Sequence, residues 1–276
     1  MPGRARKGLL MDINKLFSRD PEEKPLDIIK DDGGFTSIFR KIAVVGDSLA
    51  SGELESMDAG CPRGYHDIFD ISWGQYLARM SGTTVLNFTR GGMTASEYCN
   101  GWAAMNGFWD KDKAAQAYII ALGCNDLDGL GQAVGSVADI NEDLHRNADT
   151  FCGHFAKIIQ QYKLIQPDAV FFLVTMPDED DTFPADIRAR HDAHEQLMTD
   201  LADYFTNTYV IDLRKYATPF NRSEYHRLFW TGGHLNSAGY YLTAKLIGSY
   251  IDYIVRHNIE KFNQSGFIGT PWKYCE

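Results

Sequence analysis

Five short apolar runs, Ile42 to Val45, Thr83 to Phe88, Tyr118 to Leu122, Ala169 to Val174 and Tyr209 to Leu213, are separated by stretches long enough for helices. No other feature of the chain limits its fold so strongly. Runs rich in Val, Ile and Leu suit strands covered on both faces. Parallel neighbours need a crossover of about a dozen residues or more, and the segments between the runs supply it. Helices are predicted at about Trp73 to Met80, Ala95 to Trp109, Val134 to Gln166, Asp186 to Asn207 and Ser237 to His257. The expectation is a five-stranded parallel sheet between two helix layers, a three-layer α/β/α fold. A length of 276 residues with 44% hydrophobic content is enough for one large core.

Residues 1–34 are polar and interrupted by Pro2, Pro21, Pro25 and Gly33-Gly34, so they are expected as an arm, partly disordered or wrapped on the surface. Residues 35–258 carry the folded domain and 259–276 form a tail. A net charge of -10 argues against nucleic acid as a partner, which needs a basic footprint, and against anionic membrane surfaces. No apolar run approaches the ~20 residues of a membrane span, and the N-terminus does not read as a secretory signal. Cys61, Cys99, Cys124, Cys152 and Cys275 form an odd set without CxxC spacing. Neither a disulfide framework nor a zinc site is expected, and a reducing cytoplasm is the simplest reading.

In an open parallel sheet, ligands bind beyond the carboxyl ends of the strands. The first predicted strand ends in Gly46-Asp47-Ser48-Leu49, the second in Arg90-Gly91-Gly92-Met93-Thr94, and the third in Gly123-Cys124-Asn125-Asp126. Gly46 lets the chain turn sharply, which puts the Ser48 hydroxyl on a loop where it can act as a nucleophile. A serine that attacks an ester needs donors for the developing oxyanion. The backbone N–H groups of Ser48 and Gly92 and the side-chain amide of Asn125 are groups of the right kind. His234, on the glycine-flanked segment Gly232-Gly233-His234-Leu235-Asn236 before an apolar helix, is the candidate base, since an imidazole can take the serine proton and return it to the leaving alcohol. Asn236 or Ser237 would cap that helix. Asp47 reads as structural, accepting backbone N–H bonds in the turn that presents Ser48.

These four blocks, in this order, resemble the SGNH hydrolases, also called GDSL esterases and lipases, over about Lys41 to His257. The resemblance implies a flavodoxin-like sheet and ester hydrolysis through an acyl-serine, with no metal or organic cofactor. Ser48 and His234 would be catalytic, with Ser48, Gly92 and Asn125 forming the oxyanion hole. One position departs from the pattern: the family's acid lies three residues before the histidine, where this chain has Thr231. A substitute acceptor for the Nδ1 proton of His234 is therefore expected. The candidates are a backbone carbonyl near Phe229 or Trp230, the Thr231 hydroxyl, or a carboxylate such as Glu224.

The substrate expected is a small-molecule or carbohydrate ester with a short acyl group, acetyl foremost. One alternative is a lipase or lysophospholipase acting on longer chains; another is a carbohydrate-binding relative without turnover. Tyr65, His66, Phe69 and Trp73 are expected to border the site, and the insertion between Gly52 and Trp73 to form a lid or wall. Trp102 and Trp109 share a helical face and read as core. His191 and His194, three apart on a predicted helix, read as decoration of a solvated face rather than a metal pair, and the acidic run Asp178-Glu179-Asp180-Asp181 as a solvated loop.

Overall fold

The computed structural model describes Lys15, Phe17 and residues 19–56, 64–176, 184–217, 223–263 and 265–266. Strand β1 (Lys41–Gly46) runs into a single-turn helix α1 (Ser48–Ser51) and a hairpin of β2 (Glu53–Ser56) and β3 (Gly64–Asp67). Then follow α2 (Trp73–Ser81), β4 (Thr84–Thr89), β5 (Ala117–Ala121), α3 (Phe151–Ile165), β6 (Val170–Val174), α4 (Ala185–Tyr204) and β7 (Thr208–Ile211). A short ladder of β8 (Trp230–Thr231) and β9 (His234–Leu235) leads into α5 (Ser237–His257).

Five strands form one sheet in the order β4-β1-β5-β6-β7, with every neighbouring pair parallel. Side chains alternate between the two faces of a strand, and both faces here are covered. Ile42, Val44, Ile119 and Phe172 pack with Trp73 and Leu77 of α2 and Ile247 and Ile251 of α5. Ala43, Val45, Tyr118 and Phe171 pack with Phe155 and Ile159 of α3 and Leu197 and Leu201 of α4. The predicted three-layer α/β/α architecture is the one observed, and the strand order is that of flavodoxin-like sheets. Trp102 and Trp109 lie in the second of these layers among Tyr98, Phe108 and Tyr162.

Two predicted helices are broken. Instead of one helix over 134–166, only Phe151–Ile165 is α-helical, with short turns at Val137–Asp139 and Leu144–Arg146 before it. Side chains there capture the backbone: Asn141 accepts from Asp143 N, Asp143 from His145 N, and Asn147 from Asn141 N. Such local bonds compete with the helical ladder. The helix predicted over 95–109 is interrupted at Gly101, whose backbone is non-helical, and ends before Gly107 at φ 62°. The segment after Gly52 contains the β2–β3 hairpin; Cys61, Pro62 and Arg63 lie outside the described residues, as do Asp178 to Asp181.

The described part of the N-terminal arm lies along α5. Lys30 N donates to Ser249, Phe35 N to Asp252, and Tyr253 to the Glu23 carbonyl. Arg256, 2% exposed, binds Glu23 through Nη1 at 2.8 Å and Asp252 through Nε at 2.7 Å. Arg256→Ala is expected to lower the unfolding free energy by about 3 to 5 kcal/mol, because two carboxylates lose the cation that offsets their burial. Urea denaturation reads this, and a loss below about 1 kcal/mol would be the behaviour of an exposed pair instead. Among the described residues, no helix is long and apolar enough to cross a membrane.

Candidate active site

The carboxyl end of β1 places Ser48 at the start of α1. Gly46 is required by close approach: a Cβ there would lie 2.5 Å from Ala50 Cβ and 3.0 Å from the Ala121 carbonyl. Asp47 caps α1, its Oδ1 accepting from Leu49 N at 3.0 Å, which is the structural part anticipated for it. Burial pushes the Asp47 carboxyl up to about 7. The N–H of Ser48 lies in the first helical turn, where backbone donors have no intrahelical partner.

Gly92 and Asn125 reach the same end of the sheet. Gly92 has φ 70°, a conformation that glycine adopts without strain, and open space where a side chain would stand. Asn125 Nδ2 donates to the Met93 carbonyl at 3.1 Å, which ties its amide to the segment that carries Gly92. Asp126 accepts from Ala95 N at 2.9 Å, so the loops after β4 and β5 are laced together.

His234 arrives on β9. Its Nδ1 lies 2.9 Å from Glu55 Oε1, which also accepts from Gly233 N at 2.7 Å. The Glu55 side chain is 2% exposed. Gly232, at φ 68°, arches over this carboxylate so closely that a Cβ would meet Glu55 Oε2 at 2.1 Å. A carboxylate therefore meets Nδ1, but from β2, some 180 residues before the histidine.

None of the acceptors named from the sequence occupies that position. Glu224 is exposed and pairs with Arg227 at 2.7 Å. The Phe229 carbonyl takes the Asn236 N–H at 2.8 Å. Trp230 pairs with Leu235 in the β8–β9 ladder and stacks on His226; Thr231, opposite His234 in that ladder, is exposed. The family pattern does not point to Glu55, because it looks three residues upstream of the histidine, whereas strand pairing can bring any residue to its ring. The alternating Glu53-Leu54-Glu55 is the available signal, since it puts both carboxylates on one face of a strand.

A second carboxylate meets the other ring nitrogen: Glu53 Oε1 is 3.0 Å from Nε2. With Nδ1–H bonded to Glu55, a neutral imidazole has only a lone pair at Nε2, so a proton must lie between Nε2 and Glu53. Burial pushes the Glu53 carboxyl up, and the Asp67 and Glu55 carboxyls reinforce the rise against the pull of His234. Asp67 in turn accepts from Ser51 and from Gly91 N. Tyr240 of α5 donates to the Ser48 carbonyl at 3.1 Å and to the Glu53 carbonyl at 2.8 Å, which fixes α1 against β2. Tyr65 stands edge-on to His234, ring centroids 5.7 Å apart, and is 54% exposed.

Beneath these loops lies a pocket of about 560 Å³, its solvent-open mouth included, bordered mostly by apolar groups such as Leu49, Leu122, Met176, Leu213 and Trp230. Asp47 and Cys124 also border it. Away from the site, Cys99 lies 3.7 Å from His154 Nδ1, whose Nε2 meets Asp149 at 2.8 Å. Burial pushes the Cys99 thiol up to about 12, so it lacks the thiolate that such a nucleophile needs. Among the described residues, no group of three or more His, Cys, Asp or Glu is arranged to hold a metal ion.

His191 and His194 are not on a solvated face as expected. They are 4% and 0% exposed and turn toward the loop after β5. Helical spacing alone shows that two residues share a face, not which way that face points.

No curated protein sequence matches the chain. Among solved structures, a putative lipolytic protein of the G-D-S-L family from Desulfitobacterium hafniense DCB-2 aligns at TM-score 0.50 and 15% identity, over 76% of this chain and 99% of that one. A family two carbohydrate esterase from Clostridium thermocellum in complex with cellohexaose aligns at TM-score 0.52 and 14% identity, over 80% of this chain and 65% of that one. A Corynascus thermopiles (Myceliophthora fergusii) carbohydrate esterase family 2 enzyme with a carbohydrate binding domain aligns at TM-score 0.51 and 16% identity, over 78% and 66%. At such identities these structures establish the shared fold. A sequence profile of the GDSL-like Lipase/Acylhydrolase family matches residues 44–242, a span that holds Ser48, Glu55, Gly92, Asn125 and His234. The chain belongs to that family of carboxylic ester hydrolases.

Proposed function

We propose that the protein removes short acyl groups, acetyl first among them, from carbohydrate esters through an acyl-Ser48 intermediate, with Glu55 completing a Ser48–His234–Glu55 triad. The observation that carries this reading is the 2.9 Å bond between His234 Nδ1 and buried Glu55. It fixes the imidazole in the tautomer whose Nε2 can act as a base.

Ser48 Oγ attacks the acyl carbon and its proton passes to Nε2. The oxyanion is held by the N–H groups of Ser48 and Gly92 and by Asn125 Nδ2; one such donor is worth roughly 10² to 10³ in rate. The imidazolium then gives its proton to the leaving alcohol oxygen, and a water activated by the same nitrogen releases the acid. Glu53 must leave Nε2 before the first step, and the Ser48 hydroxyl and the entering substrate take its place. The exposed Tyr65 ring and the Glu53 and Asp67 carboxylates support a polyhydroxylated alcohol: a flat ring can take a sugar face, and carboxylates accept hydroxyl protons.

The apolar pocket supports a second reading, hydrolysis of longer acyl chains. kcat/KM on p-nitrophenyl acetate, butyrate and octanoate separates the two. Serine-dependent turnover is expected to fall as the chain lengthens. If the pocket held the acyl chain, each buried methylene would instead raise kcat/KM about threefold to fourfold, and that trend would replace the first reading with the second.

A further inference from the structure

We propose that one face of α4 is a positioning clamp for the oxyanion loop, with His194 at one end of that loop and Arg190 and His191 at the other. The inference rests on the reading of Asn125 as an oxyanion donor and adds the residues that hold it in place.

Residues 190, 191 and 194 occupy neighbouring positions on one helical face. His194, fully buried, has Nε2 3.2 Å from the Leu122 carbonyl, just beyond the last residue of β5. Burial pushes this imidazole down to about 4, so it is neutral near pH 7 and Nε2 donates the proton to that carbonyl. Its Nδ1 has no partner among the described residues. The ring presses on Gly123, where a Cβ would stand 2.9 Å from Nε2.

On the far side of Asn125, Arg190 Nη1 donates to the Leu127 carbonyl at 2.7 Å, and His191 Nε2 lies 2.8 Å from Asp128 Oδ2. Thus α4 grips the chain at Leu122, Leu127 and Asp128, while the loop after β4 takes the Asn125 amide and the Asp126 carboxylate from the other side. A leucine at position 194 would fill the same space without desolvating an imidazole, which carries a cost unless a hydrogen bond offsets it. The bond to Leu122 is the one the structure shows. Displacing a catalytic group by about 1 Å can cost roughly 100-fold in rate, so the clamp acts on kcat through the placement of Asn125 Nδ2. His194, His191 and Arg190 are positioning residues; none touches the reacting atoms.

The test is a double-mutant cycle on the full chain with p-nitrophenyl acetate, with thermal unfolding followed in parallel. His194→Phe keeps the ring volume and removes the donor, whereas His194→Gln restores an amide donor. His194→Phe is expected to lower kcat about 10-fold to 100-fold with KM within about threefold, and His194→Gln to recover most of that loss. In an Asn125→Ala background, His194→Phe should change kcat by less than about twofold, since coupled residues are not additive. A purely structural histidine would cost the same factor in both backgrounds, and that result would overturn the clamp. An unchanged kcat in Asn125→Ala alone would remove the oxyanion reading and the clamp with it; a depressed Asn125→Ala beside a normal His194→Phe removes the clamp only. If His194→Phe does not fold, Arg190→Gln carries the test, with kcat lowered about threefold or more at unchanged KM supporting the clamp and wild-type kcat overturning it.

Discussion

Ser48→Ala is expected to reduce ester turnover by at least about 10⁴-fold while leaving the fold and the affinity for a non-reacting sugar unchanged. The size follows from what the hydroxyl does. Without it no acyl-enzyme forms, and the oxyanion donors and bound geometry can still assist direct attack by water, but only to the residual extent of roughly 10³ to 10⁴ over the uncatalysed reaction that serine hydrolases retain without their triad. Ser48 stands at the first position of α1, and its hydroxyl takes part in no cap; Asp47 has that task. Alanine there therefore leaves the helix start intact, and a change in Tm is not expected to confound the assay. Burst kinetics with p-nitrophenyl acetate supply the second measurement, because wild type should accumulate an acyl-enzyme and the variant should not. Retained turnover in Ser48→Ala would refute the serine mechanism whatever the substrate.

Glu55→Ala is the second large effect, expected at about 10³ to 10⁴ in kcat, by comparison with loss of the orienting carboxylate in serine proteases. Two bonds disappear together, those from Gly233 N–H and from His234 Nδ1, so both the segment that carries the histidine and the tautomer of its ring are released. Glu55→Gln should cost about as much as Glu55→Ala, roughly 10⁴ in kcat, because its amide nitrogen can donate to Nδ1 and hold the ring in the wrong tautomer even where the geometry is kept. Thr231→Ala should change kcat by no more than about threefold, as expected of an exposed position, and Glu224→Ala likewise. Glu53 is the internal control. If Glu53→Ala collapsed activity while Glu55→Ala stayed within about tenfold of wild type, the carboxylate on Nε2 would be the essential one and the triad assignment would fail.

Under the proposed triad, tertiary structure would fill the gap at Thr231 in place of a local motif. A triad acid needs only to reach Nδ1, and any element that passes the histidine loop can deliver it. In the proposed assignment the hairpin after α1 has that part; it pairs Glu53 with Asp67 across its strands and brings Glu55 to Gly233 N and His234 Nδ1. The same hairpin supplies Tyr65 at the rim. One hairpin thus supplies both carboxylates at the His234 ring and the exposed Tyr65 beside it.

Much of the candidate site is legible in the sequence, because the information there is local. A β-branched run followed by Gly-Asp-Ser is a strand, a tight turn and a half-buried serine at the start of a helix, and each of those properties belongs to a few adjacent residues. The same holds for Gly92, for Asn125 after β5, and for Asn236 as the cap of α5, where its side chain accepts from Gly239 N at 3.0 Å. Alternation of strand and helix then implies a parallel sheet, and a parallel sheet gathers its strand ends on one edge. The features that the sequence does not reveal depend on contacts that no helical or strand period encodes. The break before Phe151 comes from side chains that outcompete the helical ladder, and the inward face of α4 comes from the loop it packs against. Sequence alone therefore determined the layers and the residues we assign as nucleophile, base and oxyanion donors. Tertiary structure decided which carboxylate orients His234 and which way His191 and His194 point, because hydrogen-bond partners are set by proximity in space and proximity across 180 residues is not written in any local pattern.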